Sequence, residues 1–85
     1  MSEFSKFIRL VADTKDSALL EDFLFGVTTP AERKKLVQRI DIVERLLKGE
    51  PQHQIAGDLG VGVATVTRGS RELAAGRFKV LRKRK

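Results

Sequence analysis

The chain has 85 residues, 2 prolines, no cysteine and a net charge of +6 at pH 7, which leaves room for one compact domain and excludes a disulfide or thiolate-metal framework. No apolar run approaches the roughly 20 residues that a membrane-spanning helix needs. Residues 1–14 lack the basic start and unbroken apolar stretch of a secretion signal, so a cytoplasmic protein without a membrane partner is expected.

Phe4, Phe7, Ile8 and Val11 recur at helical spacing with Lys6 and Arg9 on other faces, which predicts a first helix. After the polar break from Asp13 to Asp16, Leu19, Leu20, Phe23, Leu24 and Val27 form a second, very apolar helix, which Gly26 is expected to stop in a left-handed conformation. Four of the five phenylalanines lie in these two segments. A chain this short covers little surface by itself, so that density predicts burial against a second copy, a homodimer.

Thr29-Pro30-Ala31-Glu32 reads as a helix start: the Thr29 hydroxyl can take the Glu32 amide, the Glu32 carboxylate can return the bond, and Pro30 stands where no amide donor is needed. Leu36, Ile40, Val43 and Leu47 then mark one face of a helix of about five turns, ended by Gly49. Pro51 is read as the first-turn residue of a short helix whose buried edge is Ile55 and Leu59 and whose stop is Gly60. Val61-Gly62 forms the connection, and a last helix runs from Val63 through Val66, Gly69 and Leu73 to fade at Ala74-Ala75-Gly76. The basic tail, residues 77–85, holds six bases in nine residues and is assigned no structure. The expected architecture is all-α: one helical domain over residues 1–76, followed by that tail.

Charge is uneven along the chain. Residues 1–30 carry five acids against three bases, a net −2, and the remainder carries 14 bases against 6 acids, a net +8. A basic C-terminal part fits a polyanion partner, since Lys and Arg displace counterions from phosphates; a merely solvated surface is the plainer alternative. Helix, glycine turn and helix between about residues 51 and 75 then fit a helix-turn-helix, with Ile55, Leu59, Val61 and Val66 as shared core, Ala56 at the crossing and Gly60 at positive φ. An ordinary helical hairpin would look similar, and the surrounding positive charge favours DNA. Docked by its N-terminal end, the second helix would present Val63, Ala64 and Thr67 to base edges in the major groove, and Gly62, just ahead of it, is counted among the DNA-binding residues. Gln52, His53 and Gln54, with Arg68, Arg71 and the tail, would meet phosphates. The lone His53 has no second imidazole or thiol near it in sequence, so no metal site is expected. Paired carboxylates, a nucleophile–base set and a phosphate loop are missing, so no enzyme and no catalytic residue is expected.

The strings Thr29 to Arg33, Arg39 to Glu50 and Gly60 to Ser70, the last containing Ala-Thr-Val-Thr-Arg-Gly-Ser, resemble the Trp repressor family. The resemblance covers about half the chain. It implies an interlaced all-helical homodimer, a repressor of tryptophan biosynthesis or transport genes. It implies binding to double-stranded operator DNA, with water-mediated base contacts, when L-tryptophan acts as co-repressor. Position by position, Arg39 matches the arginine against the indole and Arg68 the arginine on the carboxylate, while Thr29, Thr65 and Gly69 match other ligand positions. Glu72 stands where the family has a serine near the amino group, and Gly26 where it has a leucine over the ring. The first helix of the motif is one residue shorter at Glu50-Pro51, with His53 and Ala56 in place of basic residues. The family's final helix is absent or replaced by the basic tail. Two alternatives stay open: a regulator of the same fold that is ligand-independent or answers another ligand, and a helical protein-interaction module.

Overall fold

The computed structural model describes residues 3–83, and their regular structure is entirely helical: α1 (Glu3–Asp13), α2 (Ser17–Val27), α3 (Pro30–Leu47), α4 (Gln52–Leu59), α5 (Val63–Ala74) and α6 (Lys79–Arg82). The all-α expectation holds. Among these residues no helix is long and apolar enough to cross a membrane. The chain divides after Arg33 into two compact units.

In the N-terminal unit, Asp16 caps α2 by accepting the amides of Ala18 at 2.8 Å and Leu19 at 3.3 Å. Phe7 stacks on Phe4 with ring centroids 5.8 Å apart and meets Phe23 at 6.0 Å, yet no described side chain of this unit is fully buried. Gly26 does not stop α2: it lies inside the helix and takes no positive φ. The helix ends one residue later because Thr28 turns extended (φ −123°, ψ 151°), with its hydroxyl donating to the Leu24 carbonyl, and because Pro30 disfavours helical geometry at the residue before it. Arg33 braces this corner, donating to the Thr28 carbonyl at 2.8 Å with its guanidinium 4.2 Å from the Phe25 ring centroid. The reciprocal cap of α3 forms as expected: the Glu32 amide donates to the Thr29 hydroxyl at 3.1 Å and the Thr29 amide to the Glu32 carboxylate at 2.8 Å.

The C-terminal unit holds the whole buried core of Ile42, Val43, Ile55, Ala56 and Val66. Here α3 turns a different face inward than expected. Val43 is buried, but Leu36, Ile40 and Leu47 stay 40–49% exposed, and Ile42 and Leu46 take their place beside α4 and α5. Two apolar stripes overlap on this helix, and α4 and α5 cover only one. Gly49 (φ 84°) closes α3, with the Glu50 amide reaching back to the Arg45 carbonyl and the Gly49 amide to Leu46. Pro51 is the residue before α4 and not its first helical residue: its ψ of 143° is extended, and its carbonyl accepts the Gln54 and Ile55 amides. Gly60 (φ 66°) ends α4 and Gly76 (φ 93°) follows α5, both as left-handed caps. The tail, left without an assignment from sequence, forms the single turn α6; Arg84 and Lys85 lie outside the described residues.

Candidate functional site

Helix α4, the turn from Gly60 to Gly62 and helix α5 form the expected helix-turn-helix. Ile55 and Val66 are fully buried and Ala56 is 5% exposed, with Leu59 and Val61 partly buried around them. Ile42 and Leu46 complete this cluster from α3, a contribution the sequence reading missed although their spacing with Val43 was available as a second stripe. Burying each aliphatic side chain contributes about 1.5–3 kcal/mol, so this small cluster is what fixes α5.

Gly62 precedes α5 without a side-chain cap, which leaves the first amides of the helix unclaimed by side chains. Val63 is 52% exposed and Ala64 is exposed beside it. Thr67 is half-buried, and its hydroxyl donates to the Gln52 side-chain oxygen at 2.8 Å. Gln52 and Thr67 were expected to act separately, on phosphate and base; the structure ties them together, 15 residues apart. His53, Gln54, Arg68 and Arg71 are exposed. The tail is partly committed elsewhere: Arg82 donates to the Leu73 carbonyl at 2.7 Å and so caps the end of α5, while Lys79 donates to the Gly76 carbonyl at 2.9 Å within the turn that follows it.

Arg45 joins the end of α3 to α4. Its guanidinium donates to Glu50 at 2.6 Å and to Asp58 at 2.5 Å. Those hydrogen bonds, Asp58 first and then Glu50, raise its pKa above the ordinary arginine value. A raised pKa means that this stabilisation is complete below the unfolded value and fades only as pH rises through the folded one, far above neutrality. No sequence signal pairs these three residues.

Between α3 and α5 lies a cavity of about 420 Å³, within the usual range for small-molecule sites. Arg39, Ile42 and Val43 line it from α3, and Ala64, Thr65, Arg68, Gly69 and Glu72 from α5. Five of the six expected ligand residues therefore meet at one place. Thr29, the sixth, caps α3 in the N-terminal unit. Gly69 also serves the helix crossing, since a Cβ there would stand 3.3 Å from the Ile42 Cγ2. Among the described residues Arg39 and Arg68 have no hydrogen-bond or ion-pair partner, whereas Glu72 lies 3.4 Å from Arg77. Two unneutralised guanidiniums beside an apolar floor suit a ligand with a carboxylate and a planar ring. Phe78 adds an aromatic wall that the sequence reading did not anticipate.

The sequence model of the family described as "Trp repressor protein" matches residues 2–82. Similar curated proteins are the "Trp operon repressor homolog" of Vibrio parahaemolyticus, 44% identical over 72 residues that span 84% of this chain and 70% of that one, and those of two further species. The Aliivibrio fischeri relative is 45% identical over 73 residues, 85% of this chain and 68% of the relative. The Vibrio cholerae relative is 47% identical over 73 residues, 85% and 71% of the two chains.

Proposed function

Because the chain belongs to the Trp repressor family, a family of transcription regulators and not of enzymes, we propose that it is a cytoplasmic homodimeric repressor that grips operator DNA when L-tryptophan fills the cavity between α3 and α5. Val63, Ala64 and Thr67 meet base edges, with Gln52 steadying Thr67, and Gly62, His53, Arg68 and Arg71 lie where phosphates pass. In the cavity the Arg68 guanidinium grips the carboxylate, Arg39 covers the ring, Thr65 and Gly69 border the ligand, and Glu72 faces its ammonium group. Thr29 keeps its family assignment as a ligand residue alongside its capping role. Dimerisation is supported by Phe4, Leu19 and Phe25, each more than half exposed within the N-terminal unit.

The observation that carries this reading is the pair of unpartnered arginines on the cavity wall. A ligand that bridges α3 and α5 favours one setting of the reading helix, and it shifts operator affinity only by its differential affinity for that setting. Calorimetric titration tests it: tryptophan binds the wild type, and Arg39→Ala weakens it roughly 2- to 30-fold through loss of the cation–ring contact. Absence of tryptophan binding to the wild type contradicts the co-repressor. The other reading, a repressor on the same fold with a different effector or none, draws on Glu72 and on Gly26, the two departures from the family's ligand positions. A titration in which another amino acid outcompetes tryptophan supports it.

A further inference from the structure

We propose that Phe78 contacts the effector and sets its class, a planar aromatic amino acid held between the Phe78 ring and Arg39, and that it thereby links cavity occupancy to the basic tail. The proposal rests on the co-repressor reading of the cavity. Phe78 lines that cavity although it lies beyond the end of α5, in the segment where basic residues predominate. Its backbone is left-handed (φ 64°, ψ 33°), the one positive-φ residue other than glycine among the described residues. A bulky residue seldom takes that conformation, and it persists only where its surroundings impose it.

Those surroundings are visible. The Arg77 amide reaches back to the Glu72 carbonyl and the Gly76 amide to Leu73, which turns the chain sharply off α5. The Leu81 and Arg82 amides then both donate to the Phe78 carbonyl, and Arg82 is tied again to the Leu73 carbonyl. The Phe78 side chain is half-buried there and lines the cavity together with Arg39, Arg68 and Glu72. A flat ring entering the cavity gains an aromatic face from Phe78, and offset ring pairs are favoured beyond their buried area. Occupancy also restrains Phe78, and with it the turn that carries Lys79, Arg82 and Lys83. An aliphatic amino acid gains neither effect.

Titration of wild type, Phe78→Leu and Phe78→Ala with L-tryptophan and L-leucine, each protein checked for native helicity by circular dichroism, tests this. Expected is a roughly 2- to 10-fold weaker tryptophan affinity in Phe78→Leu, which keeps apolar bulk and loses the ring, and a larger loss in Phe78→Ala. Tryptophan should also slow tryptic cleavage after Lys79 and Arg82 in the wild type and not in Phe78→Leu. If tryptophan binds the wild type and Phe78→Leu equally, the role of Phe78 is refuted while the co-repressor stands. If the wild type binds no aromatic amino acid, both fall together.

Discussion

Residues 34–83 close a core of their own around Ile42, Ile55 and Val66, whereas α1 and α2, within residues 3–33, bury no described side chain and leave Phe4 67% and Leu19 63% exposed. Both units have defined local structure: Asp16 caps α2, and Gly49 and Gly60 close α3 and α4. What separates them is tertiary cover. Helices can be set by caps and periodicity yet still need a second surface, since a short helix draws most of its stability from packing. In this chain the C-terminal unit supplies its own packing, and the N-terminal unit leaves Phe4, Leu19 and Phe25 more than half exposed.

The largest effect expected from this contrast is in the core. Ile55→Ala should destabilise by about 2–5 kcal/mol, because it leaves a cavity where α3, α4 and α5 meet. Urea unfolding followed by circular dichroism measures it, and a loss below 1 kcal/mol would show that the motif is not held from within. In the N-terminal unit Leu19→Ala should act through association instead. If a second subunit covers this side chain, its removal costs about 1.5–3 kcal/mol and raises the dimer dissociation constant roughly 10- to 150-fold. Sedimentation equilibrium decides, and an unchanged constant would mean that Leu19 faces water in the assembly too.

Smaller effects sharpen the same division. Thr29→Ala removes the reciprocal cap at the start of α3 and should lower stability by about 1 kcal/mol, read as a fall in melting temperature. Arg45→Ala should weaken the joint between α3 and α4, and the deficit should shrink as salt is added, because Arg45 is only partly covered where it meets Glu50 and Asp58. A deficit that is independent of salt would assign the effect to lost packing of its alkyl stem.

The sequence was most readable where a feature is local. The Thr29 to Glu32 cap, the left-handed Gly49 and Gly60, and the Ile55–Val66 core all follow from residues a few positions apart or from a repeating spacing. Gly26 misled because glycine permits a left-handed stop without requiring one, and Thr28 and Pro30 decided the end of α2. The inward face of α3 was ambiguous because Val43 belongs to both apolar stripes, and only α4 and α5 choose between them. Arg45 with Asp58, Thr67 with Gln52, and Phe78 at the cavity are pairings across the fold, which no period or cap announces. Arg39, Thr65, Arg68, Gly69 and Glu72 were reached through family resemblance rather than periodicity, and the structure brings them to one cavity, from α3 on one side and α5 on the other.

The most direct test of the whole account is operator affinity with and without tryptophan. A duplex recovered by selection from a random library, titrated with purified protein and followed by fluorescence anisotropy, should bind more tightly when tryptophan is present. Arg39→Ala should reduce that difference while leaving ligand-free binding unchanged. Equal affinity in the two conditions for the wild type would contradict control of the reading helix by this cavity.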